Sequence, residues 1–357
     1  MPLTQRCQRN LVLWFGAASL ACAPAPRMGD AVDVAEESAI IVWDEATKTQ
    51  HFIRRASFRT TAKDFGFLVP TPTVPELKEA SDSAFAFLEK LTAPRTVERR
   101  VPARDGAAPA PAAAAAVTVV TQVKVAGYDA VVLEANDAKA LAAWLEQHGY
   151  ASSPELVDWF KPYLERRWKI SAFKIDRDAQ RNGLAEAAAV RMSFKSDVPF
   201  FPYREPARPA RSGSGAEPRL LRVYLLATAR MEGVLGVSAA SAAWPGRAVW
   251  ADRISEQDRA ALLEHVKLTS AVAAGALWLT EFADGSSPRP AAHDLVFRTA
   301  ADPSVLHKPD EIRLLPERRM GDYVAGFIAV GAVVALLAGL LYAAWRFAVF
   351  VLRKAKS

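Results

Sequence analysis

AKALAAWLEQHGYASSPELVDWFKPYL, residues 138–164, decides the fold class, because it holds two helical patterns back to back between β-type runs. In the first pattern Leu141, Trp144, Leu145 and His148 fall at i, i+3, i+4 and i+7, the spacing of one helix face. Gly149 follows where a left-handed C-terminal cap is wanted, and His148 stands in the last turn, where the helix dipole favours a cation. In the second pattern Ser153 is an N-cap with Pro154 at the first helical position, and Leu156, Trp159, Phe160, Tyr163 and Leu164 share a face. Pro162 is expected to kink this helix or end it early, since it has no N–H to give.

Outward from this stretch the pattern turns to strands. Residues 117–125 and 130–133 are apolar β-type runs flanking Gly127, and 168–175 and 187–194 read as two strands around a turn at Asn182-Gly183. Nearer the N-terminus, 39–44 and 50–58 read as a strand pair joined around 45–49, with a third run at 65–69. Pro70, Pro72 and Pro75 are expected to stop that sheet, and 83–91 (SAFAFLEKL) is a short helix capped by Asp82 or Ser83. Further on, 220–227 (LLRVYLLA) is a strand, Ser255 starts a helix with Asp258 at the reciprocal capping position, and 271–282 is a strand or a buried helix, which periodicity does not separate. Antiparallel strands with segregated helices predict an α+β fold with antiparallel-rich sheets, plus one C-terminal transmembrane helix.

That last helix is residues 324–345 (VAGFIAVGAVVALLAGLLYAAW), which carry no charge between Asp322 and Arg346. At about 1.5 Å per residue the run covers a hydrocarbon core of roughly 30 Å. Residues 1–21 have Arg6 and Arg9, an apolar stretch from Leu11 to Leu20, and small residues Ser19 and Ala21 before a cleavage point, the layout of a secretory signal peptide. The tail carries Arg346, Arg353, Lys354 and Lys356 without an acid, as the positive-inside rule asks of a cytoplasmic end. The body is therefore expected outside the cytoplasmic membrane.

Charge bears on partners. Of 45 basic residues two precede Ala21 and four follow Trp345, leaving as many in the body as the 39 acids, all of which lie between Asp30 and Asp322. The excess of +6 thus belongs to targeting and topology, and nucleic-acid binding is not expected. Arg54, Arg55 and Arg59, at alternating or adjacent strand positions, read as cover for a solvated face. Cys7 lies in the signal, so the mature chain keeps only Cys22 and forms no internal disulfide. Cys22 has two readings: lipidation after Ser19-Leu20-Ala21, or ordinary cleavage leaving a free thiol.

Composition divides the chain into a signal at 1–21, a body at 22–285, a Pro-dotted stalk at 286–322, a membrane helix at 323–345 and a basic tail at 346–357. Within the body, 102–116 is an Ala/Pro insert and 201–218 a loop rich in Pro, Arg, Gly and Ser. In the span Gly331, Ala335 and Gly339 recur at i, i+4 and i+8, a stripe that would let two helices approach closely as a homodimer.

Several segments together resemble a known family. Gly127-Tyr128-Asp129, Val131-Val132-Leu133, Trp144-Leu145, Gly149-Tyr150, the run from Trp159 to Tyr163 and the strand from Lys169 to Ile175 are similar to the bacterial domain of unknown function 2330. FGFLVPTPTVP at 65–75, the helix and Thr-Ala-Pro within 85–94, and FKSDVPFFP at 194–202 extend the likeness to residues 32–282. The resemblance implies an exported, often membrane-anchored bacterial protein and carries no catalytic residue to transfer. Many relatives are Gly-rich and bear Cys after the signal, whereas here Cys22 leads into Ala-Pro-Ala-Pro.

Patterns for chemistry are missing. Gly236-Val237-Ser238 lacks the second Gly of a nucleophile elbow, and Ser212 lies in low-complexity sequence. His51, His148, His265, His293 and His307 have no His or Cys within five positions, so they read as caps, surface groups or satisfied core groups rather than zinc ligands. Asp176-x-Asp178-x-Gln180-x-Asn182 places oxygens at alternate positions, but a calcium loop would need Gly at Arg181 and Glu at Ala187. No phosphate loop occurs, and most Trp fall on core faces. No cofactor is expected. The leading expectation is a non-enzymatic envelope protein that binds a partner protein or envelope component; the alternative is a membrane-anchored hydrolase with a dispersed site.

Overall fold

The computed structural model describes residues 23–26, 32–60, 62, 65–101, 128–135, 137–150, 152–175, 180–181, 184–206, 219–236, 242–269, 275–286, 289 and 293–316. The chain divides into two units, Met1–Ala93 with Thr121–Lys308, and Pro94–Val120 with Pro309–Ser357.

The first unit is built on the hairpin of β2 (Val32–Asp44) and β3 (Thr49–Thr60), in which Asp44 faces Thr49 across the turn. The Asp44 carboxylate accepts from the Thr47 N–H at 3.1 Å, and Lys48 takes the left-handed conformation at φ 50° that closes the turn. Beside the hairpin lie β12 (Leu220–Ala227), parallel to β2, then β15 (Trp278–Asp284) and β14 (Arg247–Arg253). On the other side β3 pairs with β10 (Leu184–Lys195), and β10 with β5 (Glu76–Glu79). Ala39, Ile41 and Trp43 enter one core while Ile40 and Val42 enter another. Both faces of the central strands are covered, which is why they read as continuous apolar runs.

One face is covered by α1 (Ser83–Leu91) and α4 (Glu256–His265), through Phe85, Leu88, Leu262 and Leu263. Against the other pack two smaller sheets. One has the order β1 (Ala23–Pro26), β4 (Phe65–Thr71), β8 (Lys169–Ile175), β7 (Tyr128–Leu133), all antiparallel. The other has the order β11 (Phe200–Phe201), β16 (Leu295–Thr299), β13 (Met231–Leu235). Phe52, Phe58, Phe67, Phe173, Phe201 and Phe282 fill the space between the sheets. Helices α2 (Ala138–Gln147) and α3 (Pro154–Glu165) share a third core with Leu68 and Ile170. In the second unit β6 (Thr96–Val101) pairs in parallel with β17 (Glu311–Pro316).

The α+β class with antiparallel-rich sheets is what the sequence predicts, and so are most of the helix details. Ser153 caps α3 as expected, accepting from the Leu156 N–H, and Asp137, which no sequence expectation named, caps α2 by accepting from the Ala140 N–H. Gly149 has φ 83°, and all five predicted face residues of α3 are buried. Ser255 accepts from the Asp258 N–H and donates to its carboxylate.

Other expectations are corrected. Of the two effects expected of Pro162, an early end does not occur: α3 runs on to Glu165, with Trp159, Tyr163 and Leu164 buried in its last turns. Pro70 lies inside β4, opposite Ile170 of β8, and among the described residues the pairing of β4 with β1 reaches Leu68. Pro75 is followed at once by β5. The strands around Asn182-Gly183 belong to different sheets; β9 (Gln180–Arg181) pairs with the start of β10, and the turn itself lies outside the described residues. The 271–282 run resolves as strand from Trp278 onward. Phe201, Tyr203 and Glu205, assigned to a loop, are buried, and Leu295–Thr299, assigned to the stalk, is a strand whose first three residues are in the core.

The signal, Cys22, the insert at 102–116, the run at 117–125, the span with Gly331, Ala335 and Gly339, and the tail lie outside the described residues. Among the described residues no helix is long and apolar enough to cross a membrane.

Candidate functional site

The charged groups that converge in the first unit start from the hairpin register. Glu37 faces Ala56 and Ala39 faces Arg54, so Glu37 and Arg54 are diagonal neighbours on one face of the sheet. That face is the inner one, where Phe52, Ala56 and Phe58 alternate with Arg54. The Arg54 Nε donates to Glu37 Oε1 at 2.7 Å, and the guanidinium lies 4.8 Å from the centre of the Phe67 ring. Arg54 therefore belongs to the core, not to a solvated face; a charge is tolerated there because it is paired. Arg55 points to the opposite side and stacks on Phe85 at 4.6 Å.

Glu205, Arg219 and Arg289, from outside the named strands, and Asp284, from the end of β15, complete the cluster. Glu205, just after β11, pairs with Arg219, just before β12, so the pair brings together chain positions on either side of residues 207–218. Arg289 sits among three carboxylates, with Nη1 3.6 Å from Glu205 and 3.8 Å from Glu37, and Nε 3.8 Å from Asp284. Asp284 at the end of β15 accepts from the Tyr203 hydroxyl at 2.6 Å and from the Trp244 indole N–H at 3.0 Å. Three arginines and three carboxylates balance in formal charge.

Burial sets the protonation of the cluster. It pushes the Glu205 carboxyl up to about 7, although Arg219 and Arg289 pull the other way. It also lowers the Arg289 guanidinium and raises the Tyr203 phenol, to which the hydrogen bond to Asp284 adds. For Asp284 burial also raises the carboxyl, but hydrogen bonds from Ser286 and Tyr203 outweigh it and hold the group below its ordinary value. Glu37 Oε2, Glu205 Oε2, and the Nε and Nη1 of both Arg219 and Arg289 have no hydrogen-bond partner among the described residues. The cluster is thus a neutral but incompletely satisfied polar core, which holds three loops to the central hairpin.

Trp244 separates this core from an open cleft of about 240 Å³. Its indole fits where two glycines leave room. A Cβ on Gly233 would come within 2.7 Å of the ring, and one on Gly246 would overlap it. Met231 and Phe282 continue the apolar lining, and Arg230, Arg247 and Glu232 stand among the polar groups. Arg230 is held by the carbonyls of Asp302 and Ser304.

Four of the five histidines are hydrogen-bonded to neighbouring groups. His51 bonds Ser193 at 2.8 Å, His265 bonds Ser83 at 2.9 Å, His307 meets Asp252 at 3.0 Å, and His148 caps α2 against the Trp144 carbonyl. No group of three metal-ligating side chains occurs among the described residues. The sequence-stretch candidates Cys22, Gly331, Ala335 and Gly339 lie outside the described residues, and the sequence reading assigned no role to Glu37, Glu205, Arg219, Asp284, Arg289 or the Trp244 cleft. The hairpin parity that puts Arg54 between Phe52 and Ala56 is the signal that could have revealed the first of them.

No curated protein matches the chain. Among solved structures, a crystal structure of baculovirus p35 is similar at 9% identity, over 78% of this chain and 98% of that one, with a TM-score of 0.33; so slight a likeness bears on neither fold nor function. Residues 16–298 match the family described as "Uncharacterized protein conserved in bacteria (DUF2330)", and the chain belongs to that family.

Proposed function

We propose that this protein is a single-pass envelope protein whose body faces outward from the cytoplasmic membrane and acts by binding a partner protein or envelope component, without catalysis. The observation that carries the reading is where the charges gather. A catalytic acid, base or nucleophile has to reach its substrate. Glu37, Glu205 and Asp284 are instead at most 3% exposed and faced by arginines, which suits a scaffold. Among the described residues an open cleft lies beside Trp244, with Arg230, Arg247 and Glu232 among its lining, a polar concave surface that a partner could contact. The apolar run at 324–345, the basic tail and the leader-like residues 1–21 support the anchored, outward topology. The charge balance of the body supports a partner other than nucleic acid.

A hydrolase remains the second reading, favoured by one feature: a Glu205 carboxyl near 7 has the proton affinity of a general acid or base. Its seclusion opposes that role. Full-length protein in nanodiscs, profiled against ester, peptide and glycan substrates, is expected to show no turnover above background. Turnover abolished by Glu205→Gln in a folded variant would establish the hydrolase instead.

A further inference from the structure

We propose that residues 302–308 form a strap that opens locally from β14 while the rest of the first unit stays folded, and so controls access to the outer edge of that strand. The inference goes beyond the binding reading and does not depend on which partner is bound.

The strap begins shortly after β16, and Pro303 and Pro309 bracket it, which biases Asp302 and Lys308 toward extended backbone. It runs beside β14, the end strand of the eight-stranded sheet, and touches it through one β-bridge. The Leu306 N–H donates to the Ala251 carbonyl at 2.8 Å, and the Ala251 N–H donates to the Leu306 carbonyl at 2.7 Å. Backbone groups alternate along a strand, so Ala251 turns to the strap while Asp252 turns to Leu279 of β15.

What fastens the strap is polar. Arg230 donates to the carbonyls of Asp302 and Ser304. His307 Nε2 meets Asp252 Oδ2 at 3.0 Å, its ring stacks on Trp250 at 5.7 Å, and Lys308 Nζ lies 2.7 Å from Glu281 Oε2. Apolar burial is nearly missing: Val305 is 51% exposed, Leu306 and Lys308 are half-buried, and no residue of the strap belongs to a core. Beneath it Ala251 and Leu279 are fully buried.

A segment held by one bridge and by partly exposed ion pairs opens at a free energy well below that of global unfolding. Opening uncovers the N–H and C=O of Ala251 and takes the Lys308 cation from Glu281, whose other cation is Arg222 at 3.4 Å. The buried carboxylate then favours reclosure, so the strap returns to β14. Asp302 also lines the cleft beside Trp244, so the strap forms part of the cleft wall.

Hydrogen–deuterium exchange of the full-length protein in nanodiscs, resolved to single amides by mass spectrometry, tests this. The Ala251 and Leu306 amides are expected to exchange together, about 100-fold faster than the Asp252 amide, which opens only with the sheet. Lys308→Met should speed the first two about tenfold. His307→Ala, which leaves no buried ion unpaired, should speed them about threefold without altering Asp252. Equal protection of the Ala251 and Asp252 amides overturns the proposal, and so does exchange at Ala251 and Leu306 that both variants leave unchanged.

Discussion

Glu37 and Arg54, 17 residues apart on adjacent strands, form a 2.7 Å ion pair whose side chains are 1% and 2% exposed. Both ions are out of water, so each depends on the other, and Glu37 is also faced by Arg289 at 3.8 Å. Arg54→Met, which leaves Glu37 with only the longer contact to Arg289, should cost about 3 kcal/mol of unfolding free energy. The double variant Glu37→Leu with Arg54→Met should recover much of that loss, since an apolar pair needs no desolvation of ions. Chemical denaturation of the two variants checks this; a double variant no more stable than the single one contradicts it.

Two buried groups give opposed pH dependences. Glu205 has a folded value of about 7 against 4.5 unfolded, so the folded state holds the extra proton and stability falls as pH rises through that window. His51 is held near 4 against 6.5, because burial and then the Arg191 charge disfavour its cation, so its contribution is present above 6.5 and lost as pH falls toward 4. Each unit of separation is worth about 1.4 kcal/mol. Between pH 4.5 and 6.5 the two oppose each other. Glu205→Gln should leave stability rising with pH across this range and His51→Gln should leave it falling, as read from melting temperature against pH.

Trp244 provides a steric test. Gly246→Ala puts a methyl group into the indole, and the ring has to move away from Asp284. A loss of about 1–3 kcal/mol and a changed near-ultraviolet circular dichroism spectrum are expected. Gly149→Ala meets no neighbour and acts only through its φ of 83°. Its cost should be about 1 kcal/mol, with the spectrum unchanged.

The helix caps are open to the simplest check. Ser153→Ala removes the acceptor for the Leu156 N–H at 3.2 Å, and the expected loss is about 1 kcal/mol.

These caps were legible because their causes are local. Ser153-Pro154, Gly149 and the spacing of Leu141, Trp144 and Leu145 fix α2 and α3 within a few residues of chain. The β2–β3 hairpin was legible for the same reason, its partners lying either side of a short turn. What the sequence hid depends on distant pairing. Phe65–Thr71 follows β3 directly yet joins Lys169–Ile175, about 100 residues on, and nothing in a short window marks that choice. Residues 201–205 read as part of a loop from their composition, yet Phe201 pairs with Leu295, and Glu205 with Arg219. Arg54 shows the limit most plainly: in isolation a strand arginine signals solvent, and its 2.7 Å pairing with Glu37, set by the hairpin register, is what lets it be buried.

The central claim is an anchored body outside the cytoplasmic membrane, and protease accessibility tests it most directly. Spheroplasts of a cell expressing the full chain with an epitope after Ser357 are treated with protease and probed for the tag. The account predicts loss of the body and survival of a small tagged fragment containing residues 324–357. A full-length chain that is protected until the membrane is breached would contradict it.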